Sequence, residues 1–119
     1  MADGRGDLST IVMDGVNGKS AVGMAIELYA LGEPAPRKVA RAVTGPDGRA
    51  ELIASGPIPT GDYELRFQTA DYFRDQGVAV GEPAMLDMVL VRFSVSEPTG
   101  HYHIPLICTP SGYTTYRGS

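Results

Sequence analysis

The chain has 119 residues, ten basic and fourteen acidic side chains, a net charge of −4 and a single cysteine. That length suits one domain with its own core, and the acidic balance argues against a nucleic-acid partner. No apolar run approaches the ~20 residues of a membrane helix. Cys108 stands alone, which leaves no intrachain disulfide. With no secretory-type apolar stretch in "MADGRGD", a cytoplasmic location is expected.

Residues 1–7 offer almost nothing to bury and are expected to form a disordered leader, with the domain spanning 8–119. Arg5-Gly6-Asp7 spells an adhesion tripeptide, read here as coincidence. "LSTIVMD" reads as the first strand, with Ser9, Ile11 and Met13 on one face and Thr10 and Val12 on the other. "GMAIELYAL" sets Met24, Ile26 and Leu28 opposite Ala25, Glu27 and Tyr29. In "GDYELRFQT", Tyr63, Leu65, Phe67 and Thr69 share a face, and Glu64, Arg66 and Gln68 take the other. "TADYFRDQG" breaks the alternation and predicts one short helix, capped at Thr69 and stopped at Gly77. "DMVLVRFSV" then groups Val89, Val91, Phe93 and Val95. Turn signals such as "DGVNGKS", "LGEPAPR", "GPDG", "IPTGD" and "VGEPA" separate the runs. The pattern predicts an all-β fold, an eight-stranded antiparallel sandwich with one short helix.

The tail "HYHIPLICTPSGYTTYRGS" is the most informative stretch. Period two places His101, His103, Pro105 and Ile107 on an outer face, with Tyr102, Ile104, Leu106 and Cys108 toward the core. Three readings of the outer face compete. Two solvated histidines are the plainest. A metal site needs a third ligand, and the sequence has no other histidine. A proton-handling catalytic face is the third reading, and it gains from Tyr116, Arg117 and Ser119 beyond a turn at Pro110–Gly112. Cys108 reads as a buried free thiol rather than a nucleophile.

The whole tail resembles the C-terminal signature of the 5-hydroxyisourate hydrolases, the transthyretin-related proteins. "LSTIVMD", "TGPDGRA" and "TADYF" resemble that family's blocks in the same order, from about Leu8 to Ser119. The terminal "YRGS" distinguishes the enzymes from transthyretin itself. The resemblance implies a transthyretin-like sandwich assembled as a homotetramer, a dimer of dimers enclosing a channel. It implies hydrolytic opening of a lactam in 5-hydroxyisourate, within urate degradation and purine metabolism, with no metal or organic cofactor. It assigns His103, Arg49 and Ser119 to catalysis. Tyr116, Arg117, Gly118, His101 and Ile11 are assigned to the substrate-binding surroundings. At Ile11 this chain departs from the family, whose first strand usually carries a catalytic histidine there. Three outcomes follow: a slow hydrolase of the parent substrate, a diverged enzyme acting on another heterocycle, or a non-catalytic small-ligand binder.

Overall fold

The computed structural model describes residues 6–118. Its strands are β1 (Gly6–Asp14), β2 (Lys19–Ser20), β3 (Ala25–Leu31), β4 (Arg37–Val43), β5 (Arg49–Gly56), β6 (Gly61–Phe67), β7 (Val89–Val95), β8 (His101–His103), β9 (Leu106–Thr109) and β10 (Gly112–Thr115). Helix α1 (Thr69–Asp75) joins β6 to β7. Strand β2 is only two residues long, and β8 and β9 are one run interrupted at Ile104–Pro105. Eight strands of substance remain, as the turn spacing predicts.

The strands form two sheets. One follows the order β4-β3-β6-β7 and is antiparallel throughout. The other is built on β1, which pairs antiparallel with β5 and β2 and parallel with β8 and β9. The two-sheet sandwich with one short helix is the expected fold, and within it these two pairings of β1 are parallel. Alternation within a strand carries no information on the direction of its neighbour.

Between the sheets lies the apolar set that alternation selects. Leu8, Val12, Met24, Ile26, Leu28, Leu65, Phe67, Val89, Leu106 and Cys108 are all buried there. Burying side chains of this size contributes roughly 1.5–3 kcal/mol each before conformational entropy is subtracted. Thr10 faces the same way and satisfies its hydroxyl by donating to the Ile104 carbonyl at 2.6 Å.

Four expectations need correction. Strand β1 already begins at Gly6, so Gly6 and Asp7 belong to the sheet rather than to a leader. The Asp7 amide donates to the Gly100 carbonyl at 3.1 Å. Thr69 is the first residue of α1 and not its cap; Gln68 holds the cap position, without a side-chain bond. The helix does end before Gly77, whose φ of +75° suits glycine. Glu64 points to the outer face as expected but is buried, with Arg66 Nε 2.6 Å and Arg92 Nε 2.9 Å from its carboxylate. Burial alone would push that carboxyl up, but the two guanidiniums hold it below its ordinary value. Pro105, expected on the open face, is buried as well, and Thr115 Oγ1 donates to its carbonyl at 2.7 Å.

Candidate active site

The outer face of the β1 sheet carries the site. Its geometry follows from three adjacent strands held in register. Ser9 on β1 is paired with Glu51 of β5 on one side and His103 of β8 on the other. Gly118 bridges to His103 beyond that. Glu51, Ser9, His103 and Gly118 therefore form one row across the sheet. Flanking it on either side are the pairs Asp7–His101 and Ile11–Arg49. Side chains two apart on a strand share a face, so all three rows open to the same side.

His103 is half-buried, and its Nδ1 lies 2.9 Å from Ser9 Oγ. Burial holds its imidazole below the ordinary histidine value, and the nearby Arg49 charge acts in the same direction; Asp7 opposes them. The ring is thus neutral at pH 7 and able to accept a proton. His101 is exposed, with Nδ1 2.9 Å from Asp7 Oδ2.

Arg49 owes its place to the turn before it. Gly48 adopts φ +79°, and a Cβ there would stand 2.6 Å from the Val12 carbonyl oxygen. Only glycine fits this approach. The Arg49 amide donates to Asp47 Oδ1 at 3.0 Å, and Gly45 N to the Arg49 carbonyl at 2.9 Å, which launches β5 beside Ile11.

These groups line a concavity of roughly 300 Å³ formed by Asp7, Ser9, Arg49, Glu51, Ile53, Ala54, His101, His103 and Gly118. A volume at the low end of ligand pockets suits a small, polar molecule. Among the residues expected from sequence, the structure brings together His103, Arg49, His101 and Gly118. Ile11 continues the same face one row further on but does not line the concavity. Tyr116 and Arg117 line a separate apolar opening of roughly 160 Å³ with Val91, Phe93 and Tyr102. The Arg117 guanidinium donates to the His101 carbonyl at 3.1 Å and lies over the Tyr102 ring at 4.8 Å. Ser119 lies outside the described residues. Among the described residues no cluster of three or more His, Cys, Asp or Glu side chains has metal-binding geometry.

Sequence reasoning gave no site role to Ser9, Glu51 or Asp7. Glu51 was within reach, because it lies two residues beyond Arg49 and shares its face. Asp7 was not, since its place beside His101 depends on the parallel pairing of β1 with β8. Cys108 is buried, and burial together with the Asp14 charge pushes its thiol up to about 12. It is no nucleophile.

Comparison with known proteins identifies the family. The model of the HIUase/Transthyretin family matches residues 8–118. A 5-hydroxyisourate hydrolase of Mesorhizobium japonicum is 47% identical, covering 99% of this chain and 95% of the relative. Its counterpart from Deinococcus radiodurans is 45% identical, covering 98% of each. Among solved structures, Klebsiella pneumoniae 5-hydroxyisourate hydrolase superposes with a TM-score of 0.79 at 32% identity, over 95% of this chain and 99% of the other. An (S)-allantoin synthase structure gives a TM-score of 0.89 at 35% identity; the match takes in 99% of this chain but only 45% of that longer one. With the family model matching all but the ends and near full-length relatives well above 30% identity, the chain belongs to the HIUase/Transthyretin family.

Proposed function

We propose that this protein is a cyclic-amide hydrolase of the 5-hydroxyisourate hydrolase type, acting on the product of urate oxidation in purine catabolism. The observation that carries the proposal is the concavity in which a neutral imidazole, His103, shares one wall with the guanidinium of Arg49. Opening a lactam needs those two functions. His103 takes a proton from water, and the hydroxide oxygen bonds to the ring carbonyl carbon. The oxyanion that forms is held by the forked donors of Arg49. The C–N bond then breaks, and the proton held by the imidazole passes to the leaving nitrogen. No metal or organic cofactor enters this scheme.

Several sequence-derived assignments stand as parts of this proposal. His101 and Gly118 line the concavity and belong to its substrate-binding wall. Arg117 and Tyr116 belong to the substrate-binding surroundings, on the segment that carries Gly118 to the concavity, and Ser119 is assigned the orientation of substrate or water. The active form is a homotetramer in the cytoplasm, with Ile11 part of the channel wall.

A second reading rests on Ile11. It is paired with Arg49 on the same face beyond the concavity, where it presents an apolar side chain and no proton-transfer group. That favours a diverged enzyme with a less polar heterocyclic substrate, or a binder. Turnover of freshly generated 5-hydroxyisourate, followed by ultraviolet absorbance, separates the readings. We expect slow but measurable opening that His103→Ala removes. A rate equal to the uncatalysed decay would leave only the second reading.

A further inference from the structure

The Ser9–His103 contact has a consequence for the chemistry of the imidazole. Two features fix the ring. Its Nδ1 is 2.9 Å from Ser9 Oγ. On the other side, Gly118 packs so closely that a Cβ there would lie 2.8 Å from His103 Cδ2 and 3.3 Å from Pro105 Cγ. The Gly118 amide also donates to the His103 carbonyl at 2.8 Å. Held at Nδ1 and along the Cδ2 edge, the ring has Nε2 left over. Among the described residues Nε2 has no hydrogen-bond partner, and the ring lines the concavity.

A neutral imidazole can act as a base at Nε2 only when its proton sits on Nδ1. Free histidine prefers the opposite tautomer, so the protein has to reverse that preference. A serine hydroxyl can either accept from Nδ1–H or donate to a bare Nδ1, and its surroundings decide which. On the far side of Ser9, in the same row, stands Glu51, the only acidic side chain of the wall not hydrogen-bonded to a histidine. Its carboxylate accepts and cannot donate, so from its paired position across the strand its charge would draw the Ser9 hydroxyl proton toward β5. The Oγ lone pair is then turned to Nδ1–H.

We propose that Ser9 is the positioning residue that sets the tautomer of His103, with Glu51 across the strand setting the direction of the Ser9 hydroxyl. The row Glu51–Ser9–His103 orders protons so that Nε2 meets the substrate as a bare base. Its effect on turnover rests on the hydrolase reading above; its effect on the tautomer does not.

The experiment is ¹⁵N NMR of the full chain labelled at histidine, at pH 8, where both ring nitrogens of His103 report the proton position. The natural protein should show Nδ1 protonated. Ser9→Ala should move His103 to the Nε2–H form, Ser9→Thr should keep Nδ1–H, and Glu51→Gln should give a mixture. In the 5-hydroxyisourate assay Ser9→Ala should lower kcat about tenfold or more with KM little changed, since a wrongly placed histidine proton can cost up to ~10⁴ in serine proteases. Ser9→Thr should restore most of that loss. An Nε2–H signal in the natural protein, or one unmoved by Ser9→Ala, overturns the proposal whatever the activity. A protein with no turnover but the expected NMR series overturns the hydrolase reading and leaves the tautomer assignment standing.

Discussion

His103 and Ile11 sit on opposite sides of the proposed catalysis, because one carries an imidazole and the other no proton-transfer group. Burial and the Arg49 charge keep the His103 imidazole below its ordinary value of 6.5. A base whose pKa lies below 6.5 is mostly deprotonated at neutral pH. The plot of kcat/KM against pH should therefore be flat from pH 7 upward through the histidine range. It should fall only below pH 6.5, as the ring gains its proton. Arg49→Gln removes a charge that disfavours imidazolium, so the falling limb should move to higher pH while the rate drops. Ile11 faces outward beside Arg49, so replacing it needs no rebuilding of the core. Ile11→His should raise turnover of 5-hydroxyisourate by at least about tenfold, the low side of general acid–base effects. No gain in a folded variant would point to a substrate suited to an apolar wall. Prolonged treatment with a chelator should leave both the rate and the thermal midpoint unchanged, because the scheme uses no metal.

Strand β1 is the element on which the site depends, and its far end is anchored by a buried carboxylate. Asp14 accepts from the amides of Val16 and Asn17 at 2.8 and 2.9 Å, from Asn17 Nδ2 at 2.8 Å and from the Tyr72 hydroxyl at 2.7 Å. The turn after β1 and helix α1 are thereby tied to one side chain. Burial pushes the Asp14 carboxyl up, but these four donors outweigh it and leave the group below 3.8. A depressed carboxylate contributes stability above its unfolded value and loses it as pH falls through the folded one. Asp14→Ala strands the Tyr72 hydroxyl and two turn amides, and should cost about 2–3 kcal/mol at pH 7 in chemical unfolding. The difference from the natural protein should shrink below pH 3.8. This anchor was only half legible from sequence. "DGVNG" marked a turn, whereas the reach of Tyr72 to Asp14, 58 residues apart, is tertiary. The same division holds elsewhere. Period two correctly placed Ile26, Leu28, Leu65, Phe67 and Leu106 inside, since alternation reads directly on burial. It also put His103 on an outer face of its strand and grouped Ser9 with Ile11 and Met13 on theirs. It was silent on the parallel registry of β1 with β8, which brings Ser9 to His103, and on the partners that let Glu64 be buried on a polar face.

At the scale of the molecule, the open face of the β1 sheet changes character along its length. Its polar part holds the concavity; beyond Ile11 it turns apolar. Met13 and Ile107 are Cα partners on β1 and β9, 40% and 45% exposed, and Thr114 continues the row on β10. Pro105 is buried and adds nothing to this surface, so the patch is smaller than the sequence suggested. Large apolar side chains grouped beside a polar site mark an interface more often than a solvated surface. In a dimer of dimers this face would meet its symmetry mate across the channel, and Met13 and Ile107 would close it beside the two concavities. Light scattering at micromolar concentration should then report four chains. Ile107→Asp places a charge in the middle of that contact without touching the core, because the side chain points outward. The variant should keep its secondary structure and thermal unfolding cooperativity while dissociating to dimers or monomers. If the assembly shields the site from water, turnover should fall with dissociation, and raising the protein concentration should restore both together. A natural protein that scatters as a monomer would remove the channel from the mechanism, leaving the concavity of a single chain to do the chemistry. An Ile107→Asp variant that stays tetrameric would instead move the subunit contact to another face.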